Sequence, residues 1–298
     1  MNDSSSVSKI HYTLRFACAF CFIGHGAFGV ITQPLWANYM AVFGIGKPLA
    51  YHLMPLVGTM DLIFGFLILF LPLRILLSWL VVWGAITALL RPLSGEPFSE
   101  FLERAGNFGA PFALLLLSGG PGTRIREWFK PVPSRPSLDE ASQGRLQNGL
   151  IMICFLLLVG HGGLNMIDKS ALVNQYSTLG FPNPTATARI IGLFEVTAAF
   201  LLLLRPSRQL VMSLFLWKMF SELFYPHYEL FNFLERGGSY GSLLALWFVM
   251  KPHLPSAIMQ DRWFFRKFFF GDRGRDYSSS AKVSTKPLLS WRTNSVAP

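Results

Sequence analysis

Two histidines in this chain sit between glycines inside apolar runs, as Gly24-His25-Gly26 and Gly160-His161-Gly162. Each is followed, in the next apolar run, by a glycine and an acid three residues later: Gly58 and Asp61, then Gly192 and Glu195. An imidazole donates from one ring nitrogen and accepts or ligates through the other. Beside a carboxylate it can relay protons, hydrogen-bond a quinone or act as an oriented metal ligand. An ionised carboxylate in hydrocarbon is costly, so it pairs, protonates or lines a polar cavity.

A second charged phrase also occurs twice, as Phe101-Leu102-Glu103-Arg104 and Phe233-Leu234-Glu235-Arg236. The sequence therefore groups His25, Asp61, Trp83, Arg91, Glu103 and Arg104 as one candidate site. The second comprises His161, Glu195, Trp217, Glu222, Glu235 and Arg236. Within these, His25, Asp61, Arg104, His161, Glu195 and Arg236 are the candidate cofactor-binding residues. No residue is assigned a catalytic role, and the use of a metal stays open. Each feature has a plainer counterpart: small-x-small patterns are helix-packing glue, and the Glu-Arg phrases serve equally as salt bridges between halves.

Cys18 and Cys21 have the spacing of a redox pair, one turn before His25. Cys21 aligns with Leu157 in the second copy, so no four-ligand set forms, and buried cysteine also acts as a small hydrophobe. The halves differ elsewhere too. Lys218 and Glu222, four apart on one helix face, align with Gly84 and Ala88. Arg91 aligns with Tyr225.

Composition says what must position these residues. Of 298 residues 52% are hydrophobic and 14% charged, with a mean hydropathy of +0.41. Soluble domains carry nearly twice that charge. Apolar runs too long for strands place the chain in a bilayer. Eight spans are expected, at about 14–31, 53–71, 73–90, 108–117, 146–164, 188–204, 209–224 and 238–250. The copies align at an offset drifting from 136 to 132, Cys18 with Cys154, Trp83 with Trp217 and Pro92 with Pro226 among the matches. Agreement of this kind signals internal duplication. With four spans each, both copies enter the membrane in the same sense, as parallel repeats.

The expected fold is thus all-α: a polytopic membrane protein of about eight transmembrane helices in two parallel four-helix repeats. Residues 1–118 form the first repeat, 119–145 a basic cytoplasmic linker, 146–251 the second repeat and 252–298 a basic, partly disordered tail. The N-terminus lacks the small-residue pattern of a cleaved signal. The net charge of +10 lies mostly in the linker and tail, as in a membrane protein, and nucleic acid is not an expected partner. The termini and the connections at 72–74, 120–145 and 205–208 hold 19 of the 26 Lys and Arg. Both termini are placed in the cytoplasm on that basis.

Each four-span unit resembles the DoxX-like membrane proteins. The resemblance rests on residues 14–29 and 58–70, beginning with Leu14-Arg15 and with Gly58-Thr59-Met60-Asp61, and on their counterparts 149–163 and 192–206. It covers both halves but neither the linker nor the tail. Histidine between glycines and the doubling depart from the family's pattern. The resemblance implies quinone-coupled sulfur oxidation or membrane redox stress responses, and a bacterial inner membrane. The expected function is a quinone-interacting or accessory subunit of a membrane redox system. Membrane lipids, quinone and a redox partner protein are its implied partners, and b-type haem between His25 and His161 is a lesser cofactor candidate. A small-solute or proton-coupled transporter and a non-catalytic membrane scaffold are the alternatives.

Overall fold

The computed structural model describes residues 4–120, 122–223 and 230–250. The expected tail, 252–298, lies outside the described residues. Among the described residues thirteen helices run in chain order: α1 Ser4–Val30, α2 Trp36–Ala41, α3 Lys47–Phe70, α4 Arg74–Leu93, α5 Ser99–Glu103, α6 Ala105–Leu117, α7 Ile125–Trp128, α8 Glu140–Met166, α9 Ser170–Thr178, α10 Pro184–Leu204, α11 Arg208–Leu223, α12 Leu230–Glu235 and α13 Gly237–Val249. Among the described residues there is no strand; one isolated bridge pairs Leu73 with Pro131. The regular structure of the described residues is all helical, and α1, α3, α4, α8 and α10 are long and apolar enough to cross a membrane.

The helices begin earlier than the apolar runs. Pro48 sits in the first turn of α3, where its missing N–H costs nothing. The Asp139 side chain accepts from Ser142 N at 2.9 Å and starts α8; Asn183 accepts from Ala186 N at 3.1 Å and starts α10. Such caps let polar residues join the helix ahead of the hydrophobic stretch. The ends also match. Thr32 and Asp168 both adopt positive φ, 54° and 58°, just past α1 and α8. Left-handed residues commonly close helices, and these two are 136 residues apart, the same offset as His25 and His161.

The α1 and α8 windows are 61% buried, against 28–33% for α3, α4 and α10. α1 and α8 are therefore central. α3 packs on α1 and α10 on α8, while α6 and α13 touch both central helices and each other. At the α6–α13 crossing, a Cβ on Gly106 would lie 2.6 Å from Ser239 N, and one on Gly238 would lie 2.4 Å from Gly106 O. Only glycine permits backbones that close.

The halves interlock. α5, from the first half, packs on α8, and α12, from the second, packs on α1. A Cβ on Gly24 would meet Glu235 N at 2.3 Å, and one on Gly160 would meet Glu103 N at 2.1 Å. The 119–145 connection is pinned to the α3–α4 turn, where Arg74 N bonds Lys130 O and Val132 N bonds Pro72 O.

Candidate functional site

The Gly-His-Gly phrases lie near the ends of α1 and α8, where three helices meet. A Cβ on Gly26 would lie 2.6 Å from Gly58 O, and one on Gly162 would lie 2.8 Å from Gly192 O. That close approach brings the acid of the next long helix, one turn further along, to the imidazole. His25 Nδ1–H donates to Asp61 Oδ2 at 2.8 Å, and Trp83 Nε1–H donates to Asp61 Oδ1 at 2.9 Å. The second set repeats this: His161 Nδ1–H to Glu195 Oε2 at 2.5 Å, and Trp217 Nε1–H to Glu195 Oε1 at 2.9 Å. Asp61 and Glu195 are fully buried. Each carboxylate thus has both oxygens engaged, one holding the imidazole and one held by an indole. This pins the tautomer with the proton on Nδ1 and leaves Nε2 as the acceptor.

His25 lines a cavity of about 240 Å³ with Trp83, Arg91, Arg104 and Glu235, covered by Trp36 and Tyr39 of α2. The Trp36 ring centroid lies 4.6 Å from that of His25. His161 lines a separate cavity of about 260 Å³ with Trp217, Tyr176, Glu222 and Arg236. The two histidines thus open into different cavities. Among the described residues no cluster of His, Cys, Asp and Glu has the arrangement of a metal site, and Cys18, Cys21 and Cys154 are buried free thiols.

α3 and α4 barely touch, and neither do α10 and α11. The Trp–carboxylate hydrogen bonds bridge these gaps. Leu56 and Phe43, at the rim of the first cavity, are 67% and 62% exposed. The first cavity is therefore a crevice with an apolar mouth.

The sequence grouping needs one correction. Glu103 does not join His25, and Glu235 does not join His161. Glu103 accepts from Arg236 Nη1 at 2.5 Å and from Arg104 Nη1 at 2.9 Å, while Glu235 lines the His25 cavity. The crossing of α5 over α8 and α12 over α1 exchanges the two acids. Arg104 and Arg236 do line the cavities of His25 and His161, respectively.

Behind the cavities runs a continuous set of ion pairs. Lys218 Nζ lies 4.0 Å from Glu195 and 3.7 Å from Glu222. Glu222 pairs with Arg236 Nε at 3.1 Å, Arg236 with Glu103, Glu103 with Arg104, and Arg104 with Glu100 at 2.6 Å. Lys169 also pairs with Glu100, and Arg91 lies 3.7 Å from it. The set joins the Glu195 carboxylate to the arginines of the His25 cavity.

Sequence reasoning missed the lids. Tyr39 donates to Glu96 at 2.5 Å and accepts from Arg91 at 2.7 Å. Burial pushes its phenol well above the ordinary value, against the pull of Arg91, so it remains a donor. In the second cavity Tyr176 donates to Asn165 Oδ1 at 3.0 Å, and Asn165 Nδ2 approaches the His161 ring at 3.4 Å. Asn165, four residues after His161, was readable from helical spacing. Trp36 and Tyr39 lie on a six-residue helix whose periodicity is too short to stand out. Outside the cavities, Arg189 forks onto Asp168, and that hydrogen bonding holds the Asp168 carboxyl below the usual range.

Comparison with known proteins yields no match to a family model, a curated protein or a solved structure.

Proposed function

We propose that the chain is a multi-pass membrane protein that binds a lipid-soluble quinone or quinol at its histidine crevices, as an accessory subunit of a membrane redox system. The observation that carries this is the His25–Asp61–Trp83 arrangement, with the unused imidazole nitrogen on a crevice open between α3 and α4. A quinol hydroxyl would donate to Nε2, and Asp61 would stabilise the imidazolium so formed, as a carboxylate does for a histidine base. A quinone carbonyl would accept from the protonated ring. Oxidising quinol to quinone releases two protons and two electrons. The histidines handle protons, and the electrons go to a redox partner protein.

The cavity dimensions suit a ring-sized headgroup. At about 240 and 260 Å³ they fall just below the roughly 300–1,000 Å³ of pockets for larger ligands. An apolar tail would leave through the gap between α3 and α4 into lipid. The resemblance to DoxX-like proteins favours the same reading. In this proposal the broken pairs α5–α6 and α12–α13 each complete a span, giving eight. Two parallel repeats then place both termini in the cytoplasm of a bacterial inner membrane. The matched helix ends and the reciprocal crossings of α5 and α12 support the repeat.

The test is to purify the full chain, extract its lipids and assay quinone. The protein should carry quinone that is lost in the His25→Ala, His161→Ala double variant. An unchanged yield in that variant, with helicity intact, refutes the assignment.

A further inference from the structure

A further cavity touches neither His25 nor His161. It is a groove of about 920 Å³ along α1, closed by α11 and α13. Its α1 positions run from Ser5 to Phe20, roughly 22 Å at the helical rise. Its floor is formed where α1 and α13 meet, at Ala17 and Gly241, where a Cβ on Gly241 would lie 2.3 Å from the Ala17 Cβ. Small residues there let the helices close up beneath the bulkier side chains that line the groove.

The chemistry changes along its length. Ser8 and Lys9 lie toward one end of its α1 wall and Phe20 toward the other, and Arg135 joins the lining from the 119–145 connection. Lys9 and Arg135 are exposed, and no Asp or Glu is among the described lining residues. Tyr12 and Phe16, between the two ends, are 44% and 45% exposed. Two cations at the head of an aromatic channel match an amphiphile with an anionic head and a long apolar tail.

We propose that this groove is a binding site for an anionic phospholipid, its phosphate between Lys9 and Arg135 and one acyl chain along Phe16 and Phe20. The site is independent of the histidine crevices. The cationic end lies beside the 119–145 connection, on the side proposed as cytoplasmic, where anionic lipids supply a negative surface.

Native mass spectrometry of the full detergent-solubilised chain tests this, with phosphatidylglycerol, phosphatidylcholine or soluble glycerol phosphate added. Phosphatidylglycerol should be retained most strongly and glycerol phosphate hardly at all. At about 1 kcal/mol per basic residue, Lys9→Gln with Arg135→Gln should weaken phosphatidylglycerol binding roughly 30-fold. Phosphatidylcholine binding should not change. Arg124→Gln with Arg126→Gln, which removes two exposed cations outside the groove, is the control and should leave binding intact. Equal weakening by both pairs means diffuse surface attraction and overturns the site. Equal retention of the two lipids, indifferent to Lys9 and Arg135, also overturns it. Retention of glycerol phosphate alone would make the site one for a free anion.

Discussion

Replacing Asp61 by asparagine asks the first crevice to do with one acceptor what it now does with two. The carboxylate takes the Nδ1–H of His25 on one oxygen and the indole N–H of Trp83 on the other. An amide has one acceptor oxygen and one donating nitrogen. If the oxygen stays with His25, the amide faces the indole donor to donor. A buried donor left without an acceptor costs ~1–3 kcal/mol. The cheaper outcome keeps Trp83 on the oxygen and lets the amide donate to Nδ1. His25 then carries its proton on Nε2, and the nitrogen facing the cavity changes from acceptor to donor. A quinol loses its proton acceptor and its stabilised imidazolium. Hydrogen bonds involving a charged group contribute about 1.5–3 kcal/mol, so quinol affinity should fall roughly 10- to 150-fold. Quinone, which only needs a donor, should bind as well as before or better. The assay is equilibrium binding of a short-chain quinol and its quinone in a His161→Ala background, read by quenching of tryptophan fluorescence. Nitrogen chemical shifts of labelled histidine report the tautomer. An unchanged quinol-to-quinone affinity ratio, or a His25 still protonated on Nδ1, refutes the reasoning.

Other consequences follow from the same contacts. Gly160→Ala puts a Cβ 2.1 Å from Glu103 N. Backbone cannot yield as a side chain can, so a loss of at least ~1–3 kcal/mol is expected from overpacking, seen as a lower Tm in detergent; an unchanged Tm contradicts the close crossing. Glu103→Gln removes the anion shared by Arg236 and Arg104, and breaking a buried pair typically costs ~3–5 kcal/mol; Glu235→Gln, whose carboxylate makes no hydrogen bond or ion pair among the described residues, should cost less, and the reverse order would show the acids are misassigned. Asp168→Asn should lower Tm slightly at neutral pH and low salt, since exposed pairs contribute little and are screened. The Asp168 carboxyl is depressed in the folded state, so its contribution is present in full above the unfolded value of about 3.9. It fades as pH falls through the lower folded value; a difference between variant and wild type that persists in acid would exclude this cause.

The pairing of histidine and acid was legible because the same phrases occur twice in the sequence. A carboxylate kept across both copies while its length changes from Asp61 to Glu195 points to the acid group itself. Trp83 and Trp217 were legible for the same reason, although not that their indoles would hold the acids. The long helices α1, α3, α4, α8 and α10 were legible from hydropathy, which reports apolar runs. It says nothing of polar residues recruited by caps, which is why α8 begins at Glu140 rather than Leu146. The exchange of Glu103 and Glu235 was not legible. Within one copy, adjacency in sequence stands in for adjacency in space. Between copies no local pattern distinguishes Glu103 beside His25 from Glu103 beside Arg236. That choice is made by the crossing of α5 over α8.

The same crossing explains why the histidine needs a glycine on each side. In Gly24-His25-Gly26 the two glycines face different neighbours. Gly26 admits α3 of its own half, which brings Asp61, while Gly24 admits α12 of the other half, which brings Glu235 to the cavity. Gly160 and Gly162 do likewise with α5 and α10. A side chain at either place would push one neighbour away, and the imidazole would lose either its carboxylate or the wall behind it. The first crevice therefore draws a wall residue, Glu235, from the other half, while the second is lined by its own half and tied to the first through the Arg236–Glu103 pair. A separated first half should lack the Glu235 wall of its crevice even if it inserts in the membrane. The differences at Lys218 and Glu222 then act on a shared structure. Glu222 neutralises Arg236, which also holds Glu103 from the first half. The ion pairs that make the second crevice chemically distinct from the first thus lead into Arg236–Glu103, a pair that ties the halves together.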